Sequence, residues 1–443
     1  MAHYSRYFQC CAGRGMSFFT FSLLMLGFAL IARFRCPTSQ VLPALWFLLS
    51  WLPSELPWLF ALFQIFVTIF YISNIFFSDF PITNNFYLNL PVIFSIIISA
   101  GALGLWYDLH KKTFRAKKVL ANALLQGLGN QYDENNAEPN ELLCITANAV
   151  SEDRNWLKPF SFKREGVERI SDIAYGNHPQ QQLDIIYQNR ANLPRQQLRP
   201  VLLHVHGGAW MLGKKQQQAL PLLHYLAQQG WICVDINYRL APAHRYPNCI
   251  VDVKMAIAWV KANIEHFGGD GKFIAITGES AGGHLCALAA LTANDPEFQP
   301  DFEDADTQVQ AALPLYGIYD FANTSPNVND SGLHKLLTRY VMPSAYSIQP
   351  EMWRKASPLL QITSNAPPMF IIQGDNDCLA PVEKTRLFVN ALKEKSDSPV
   401  LYAEIEGAQH AFEIFHTVRT EFTIETIGKF LFYCYSKSRK TQP

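Results

Sequence analysis

Over the first 108 residues the apolar positions run on almost without interruption, whereas from about residue 170 they come in short bursts separated by amphipathic stretches. Residues 58–77 and 88–107 each supply about the 20 apolar residues that crossing a bilayer requires, and neither segment has an ionisable side chain. Between them lies a polar loop, 78–87, with Asp79, Asn84 and Asn85. A third apolar segment, 17–32, is shorter and is flanked by Arg14, Arg33 and Arg35. A fourth, 41–52, is broken by Pro43 and followed by Pro53, Glu55 and Pro57, which suits a short span or a re-entrant piece. Buried helices of a soluble domain would keep a polar face, and these segments have none. Three or four membrane helices are therefore expected.

The later pattern predicts a different architecture. Apolar bursts at 183–187, 201–205, 232–237, 273–277, 311–316, 369–373 and 401–405 read as strands buried on both faces. Helical periodicity fills 250–267, 281–293, 382–395 and 418–435. Alternation of this kind predicts a doubly wound, mostly parallel sheet, with functional residues just beyond the strand ends.

Charge divides the chain at the same place. Only Arg6, Arg14, Arg33, Arg35, Glu55, Asp79 and Asp108 are charged within residues 1–108, although the same stretch has sixteen of the 31 Phe. The other 335 residues have 33 basic and 34 acidic groups, an ordinary globular mix. The expected units are a membrane region over 1–108, a connector over 109–165 and a catalytic domain over 166–436. The connector is helical to about Leu128 and then polar. A net charge of zero argues against an electrostatic nucleic-acid binder. Lys111, Lys112, Arg115, Lys117 and Lys118 follow the last span while the 78–87 loop has no Lys or Arg, which places the rest of the chain in the cytoplasm. Three spans would put the N-terminus outside and four would put it inside. Read alone, 17–32 with Arg6 and Arg14 before it has the form of a secretory signal, but no small-residue cleavage site follows. The nine Cys are odd in number and scattered, with no CxxC spacing, in keeping with a reducing compartment. Cys10 and Cys11 are adjacent and offer a place for a lipid.

Three strand ends carry candidate chemistry. Gly278-Glu279-Ser280-Ala281-Gly282-Gly283 follows the 273–277 burst and opens a helix. A nucleophile on so tight a turn needs neighbours without side chains, which Gly278 and Gly282 supply, and Ser280 is left exposed at the helix N-terminus. The second is His206-Gly207-Gly208-Ala209-Trp210, a turn able to aim backbone N–H groups at a developing oxyanion, with His206 orienting the loop. The third is the pair that must activate the serine, expected in the order serine, acid, histidine. Asp377 follows 369–373 and His410 follows 401–405. Asp375 is a rival acid; Asn376 cannot carry the charge that stabilises an imidazolium. His416 is a rival base, although its place beside the last helix suggests a surface role. His284, on the helix after Ser280, and His204, inside a strand, read as structural.

At these residues the chain resembles the α/β-hydrolase superfamily, and within it the hormone-sensitive-lipase-like carboxylesterases. Asp235-Ile236-Asn237-Tyr238-Arg239-Leu240-Ala241-Pro242, Tyr246-Pro247 and Gly268-Gly269-Asp270 strengthen the likeness. It looks closest to membrane-anchored bacterial esterases of the mycobacterial lipase type, matching them at 302–306 and 408–412. The resemblance implies Ser280 as nucleophile, His410 as base then acid, and Asp377 as the residue orienting it. The oxyanion hole would use the N–H groups of Gly208, Ala209 and Ala281, with Gly207 shaping the turn. Many relatives have glycine where Ala209 stands, and alanine serves only if no positive φ is needed there. A lid insert is expected over 320–367, with Tyr340, Met342, Tyr346 and Trp353 able to meet an acyl chain. The expected reaction is hydrolysis of a carboxylic ester through an acyl-enzyme, with no metal or organic cofactor and with a small-molecule or lipid ester as partner. The same triad would serve an amidase, an arylformamidase or a prenylcysteine methylesterase. A catalytically inactive membrane adapter is the alternative of another class, and a transporter is disfavoured by the absence of charge in the spans.

Overall fold

The structure, a computed structural model, describes residues 2–35, 43–77, 86–129, 158–189, 198–324 and 331–441. Four helices come first: α1 (Ala2–Arg33), α2 (Pro43–Glu55), α3 (Pro57–Phe77) and α4 (Phe86–Leu128). The segments at 17–32, 58–77 and 88–107 lie within α1, α3 and α4. The fourth run forms α2, whose 13 residues rise about 20 Å, well short of a bilayer core of about 30 Å. The loop at 78–85 and the polar run at 131–141 lie outside the described residues.

Among the described residues, two helices are long and apolar enough to cross a membrane. Only 11% of Pro57–Asn74 is buried, and only 22% of the most apolar 18-residue stretch within Leu90–Leu128, whereas a core helix of a soluble domain would be mostly covered. Phe63, Phe66, Ile69 and Phe70 of α3 and Phe94 and Ile97 of α4 face outward. The polar groups between these helices satisfy one another. Trp106 Nε1 donates to Gln64 Oε1 at 2.8 Å, Gln64 Nε2 to the Ser99 carbonyl at 3.0 Å, and the hydroxyls of Ser22 and Ser99 lie 3.0 Å apart.

The boundary expected at residue 108 is a change of composition but not of structure. α4 continues unbroken to Leu128, because no Gly or Pro interrupts the turns after Asp108 until its end. Its last part has an apolar stripe, Ala116, Leu120, Ala123, Leu124 and Leu128, buried against the soluble domain. Residues 109–128 are therefore a helical element packed on the sheet domain.

The domain is built on one eight-stranded sheet: β1 (Val167–Ala174), β2 (Gln182–Gln188), β3 (Arg199–Val205), β4 (Ile232–Ile236), β5 (Gly269–Glu279), β6 (Ala311–Leu315), β7 (Met369–Gly374) and β8 (Val400–Ile405). The strand order is β1-β2-β4-β3-β5-β6-β7-β8, parallel from β4 to β8 with β1 and β2 antiparallel at one edge. All seven apolar bursts became strands. β1 was not foreseen, since a largely exposed edge strand has no apolar run to announce it.

Helices cover both faces. α6 (Asn248–Asn263), α7 (Ala281–Leu291) and α10 (Val382–Lys395) bury Ile250, Leu285 and Phe388 on one side. α5 (Leu220–Gln228), α11 (Val418–Thr441) and the end of α4 bury Leu226, Leu431 and Leu124 on the other. Between β6 and β7 an insert holds α8 (Ser331–Leu336) and α9 (Pro350–Lys355). Here the acyl-contact expectation needs correction. Trp353 and Met342 are sealed in the core: Arg245 donates to the Met342 and Arg339 carbonyls, and Trp353 Nε1 donates to the Ser344 carbonyl. Tyr340 and Tyr346 keep some surface.

Where α4 crosses β8, a Cβ at Gly127 would meet Leu401 Cγ at 2.3 Å. Gly127→Val should lower stability by about 1–3 kcal/mol, as overpacking of a tight contact does. Denaturant unfolding of the full chain in detergent would measure it, and an unchanged midpoint would contradict the close packing of α4 on the sheet.

Candidate active site

The parallel strands bring three chain segments to one edge of the sheet. β5 ends at Glu279, α7 begins at Ala281, and Ser280 between them has φ 56° and ψ −115°. That conformation is unfavourable for a residue with a side chain, and its surroundings enforce it. The turn crosses the end of β3 so closely that a Cβ at residue 282 would lie 1.9 Å from the Val205 carbonyl oxygen, so only glycine fits. Ser280 N–H donates to the Leu315 carbonyl at 3.0 Å, fastening the turn to β6. The next residue, Tyr316, sets its ring 4.6 Å from that of His410.

His410 and Asp377 meet beyond β8 and β7, with His410 Nδ1 2.7 Å from Asp377 Oδ2. The carboxylate is fixed on all sides. Asp377 Oδ1 accepts from the backbone of Leu379 and Ala380, each at 2.8 Å, and Oδ2 also accepts from Gln373 Nε2 at 3.0 Å. With Oδ2 on Nδ1, the imidazole can keep Nε2 for proton transfer.

The rival residues are engaged elsewhere. Asp375 Oδ1 accepts from Gly407 N–H at 2.6 Å and Oδ2 faces Arg35 at 3.4 Å, so it shapes the β8 turn. Asn376 Nδ2 donates to the Ala32 carbonyl of α1 at 3.3 Å. His416 is buried rather than at the surface as expected, with Nδ1 2.6 Å from Glu421 Oε1. His284 accepts from Trp210 Nε1 and donates through Nε2 to the Ala356 carbonyl at 2.8 Å; burial lowers its pKa to about 4. His206 is likewise discharged by burial, to about 4, and it stacks on Tyr238 within the glycine loop.

That loop has three successive residues at positive φ: Gly208 at 124°, Ala209 at 52° and Trp210 at 60°. A Cβ at Gly208 would strike the Leu212 carbonyl oxygen at 2.1 Å. Contrary to the expectation that alanine serves only where no positive φ is needed, Ala209 takes the left-handed conformation, which alanine tolerates at a cost of about 1–2 kcal/mol while keeping its N–H as a donor. The N–H groups of Gly208 and Ala209 have no protein acceptor among the described residues. Ala281 N–H lies in the first turn of α7, where helix geometry leaves donors free. Gly207 N–H differs, since it donates to Gln218 Oε1 at 2.6 Å and so holds the turn instead of serving an oxyanion.

Sequence reasoning gave no role to three residues in this site. Gln409 Oε1 accepts the N–H of both Cys378 and His410, tying the acid loop to the histidine loop. Gln373 orients Asp377, and Tyr316 flanks His410. Their only sequence signal was adjacency to the motifs.

His204 lies beneath the serine, with Nδ1 2.8 Å from Asp235 Oδ1 and Nε2 2.7 Å from Glu279 Oε2. Burial alone would discharge this ring, but Glu279 and Asp235 raise its pKa to about 10. An imidazolium is thus clamped across β3, β4 and β5, next to Ser280.

The following comparisons place this geometry among known proteins. Residues 183–392 match the family model described as BD-FAE. A probable carboxylic ester hydrolase, LipM, of Mycobacterium tuberculosis is 47% identical over 60% of this chain and 61% of its own length. Esterase LipQ of the same organism is 44% identical over 62% of this chain and 64% of its own. The chain therefore spans less than two thirds of the length of these curated relatives. Among solved structures, a thermophilic esterase of Thermogutta terrifontis with butyrate bound is 25% identical, with a TM-score of 0.51, covering 60% of this chain and 94% of that one.

A histidine whose pKa rises from 6.5 unfolded to about 10 folded adds stability that is whole below pH 6.5 and fades as the pH climbs toward 10. The melting temperature should fall through that window. His204→Gln should melt lower at pH 6.5, by the equivalent of about 3–5 kcal/mol for two stranded carboxylates, and its decline with pH should be shallower. Equal slopes in scanning calorimetry would rule out the buried imidazolium.

Proposed function

From the premise that residues 166–436 form an α/β-hydrolase domain, we propose that this chain hydrolyses carboxylic esters through an acyl-enzyme on Ser280. The observation that carries the proposal is the 2.7 Å pairing of His410 with Asp377 on the sheet edge where Ser280 occupies its strained turn. The likeness to LipM and LipQ supports the ester as substrate.

His410 Nε2 takes the Ser280 proton as Oγ bonds to the ester carbonyl carbon. The carbonyl π electrons move to oxygen, and the oxyanion is met by the N–H groups of Gly208, Ala209 and Ala281, each such donor being worth about 3–4 kcal/mol. Collapse expels the alkoxide, which leaves as the alcohol with the proton from His410. Water then adds to the acyl-enzyme by the same route, with His410 as base, and the acid departs as Ser280 regains its proton. Asp377 holds the ring in the tautomer this requires and stabilises the imidazolium between the two transfers.

The N-terminal helices support a second part of this proposal, that the chain is a multi-pass membrane protein with its hydrolase domain on the cytoplasmic side. Lys111, Arg115, Lys117 and Lys118 are exposed just beyond the apolar part of α4, as the bias of basic residues toward the cytoplasm requires.

Nitrophenyl esters of increasing acyl length, assayed beside nitroanilides of the same acyl groups, test the reaction. Esters should turn over and anilides lag; Ser280→Ala should lose about 10⁶-fold and Asp377→Asn about 10⁴-fold in kcat, with Asp375→Asn far less affected. Absence of turnover at every length, or activity surviving in Ser280→Ala, would end the esterase reading. Faster anilide cleavage would turn it to an amidase.

A further inference from the structure

α2 has its polarity reversed relative to a helix on the surface of a soluble protein. Leu45, Leu48 and Leu52 are exposed on its outer side, while Phe47, Ser50, Trp51 and Glu55, spaced i, i+3, i+4 and i+8, share the side facing the hydrolase domain. Each of these inner residues reaches the loop carrying His410. Ser50 Oγ accepts from Gln409 Nε2 at 2.8 Å and Glu55 Oε1 from Gln409 N–H at 3.3 Å. Trp51 Nε1 donates to the Ala411 carbonyl at 2.9 Å, and the Phe47 ring stands edge-on to the imidazole with centroids 6.1 Å apart. Residues on both sides of His410 are thus held by a helix about 360 positions earlier in the chain.

The anchor of this contact is Glu55. Its Oε2 accepts from Arg419 Nη1 at 2.5 Å, and both side chains are almost fully buried. Arg419 lies in the first turn of α11, where the helix dipole disfavours a cation, and Glu55 is the carboxylate opposite it. The hydrolase domain therefore has a buried charge whose compensation comes from the N-terminal region.

We propose that α2 is a working part of the active site, with Ser50, Trp51 and Glu55 as positioning residues that fix the loop of His410. The inference rests on the reading of His410 as the general base. It adds that catalytic competence depends on the membrane-side helices, so that they act on the chemistry as well as on location.

The test uses the full chain in lipid nanodiscs, with p-nitrophenyl butyrate as the probe. Glu55→Gln breaks the ion pair. The double variant Ser50→Ala with Trp51→Phe leaves the pair intact and removes only the loop contacts, so it remains informative if Glu55→Gln does not fold. The double variant should lose about 10–100-fold in kcat with KM within about twofold, as a small misplacement of a catalytic group does. Amide hydrogen exchange of residues 407–412 should quicken in the same protein, and Leu48→Ala, on the outer face, should match the parent. Unchanged kcat and unchanged exchange in the double variant would overturn the proposal. If the parent hydrolyses no ester, the functional reading falls, and exchange alone decides the positioning role.

Discussion

Everything in the site depends on the crossing of the Ser280 turn over the end of β3. A serine at φ 56° and ψ −115° costs on the order of 1–3 kcal/mol, and only a packed surrounding maintains it. The surrounding here is the parallel sheet itself. The turn comes within contact of the Val205 carbonyl, tolerating no side chain at Gly282, and the preceding Glu279 is bound to His204 and through it to Asp235. Three adjacent strands are thereby locked in register below Ser280. The Gly207–Trp210 loop grows from the end of the same β3, so the crossing also fixes how Gly208 and Ala209 stand to Ser280. Asp377 and His410 come from β7 and β8, farther along the same parallel array.

A second constraint joins the two halves of the molecule. An apolar N-terminal region and an ordinarily charged remainder suggest an anchor and its cargo, but α4 passes from one to the other without a break and lies on the face of the sheet with α5 and α11. α2 then closes over the histidine loop, and the Glu55–Arg419 pair buries opposite charges contributed by each half. Removing one partner of such a pair leaves an uncompensated buried charge, a change of about 3–5 kcal/mol. The hydrolase domain is consequently not an independent body that the membrane helices merely hold in place.

Much of the fold was legible because its determinants are local. Fully buried parallel strands produce unbroken apolar bursts, and the strained turn requires glycines that stand out at fixed spacing around Ser280. Other features were not legible, for physical reasons that differ. β1 is an exposed edge strand with no apolar run. Asp375 and Asp377 share one turn, and although the sequence favours Asp377 as the acid, only the backbone between them excludes its rival: Asp377 faces the imidazole and Asp375 turns to Gly407. His416 reads as a surface residue because it stands beside the last helix, whereas Glu421 and Phe162 enclose it. Glu55 was visible as the lone acid of an apolar stretch, but its partner is 364 residues away, beyond the reach of any local pattern.

Ester cleavage by this route requires that Ser280 Oγ be the atom acylated. Treating the full-length protein with a fluorophosphonate, followed by peptide mapping by mass spectrometry, addresses that directly, because phosphonylation needs the same activated hydroxyl as ester attack. The adduct should map to Ser280 in the peptide spanning the β5–α7 turn, and the Asp377→Asn protein should take it up far more slowly. A labelled residue other than Ser280, or labelling that is indifferent to Asp377, would contradict the account.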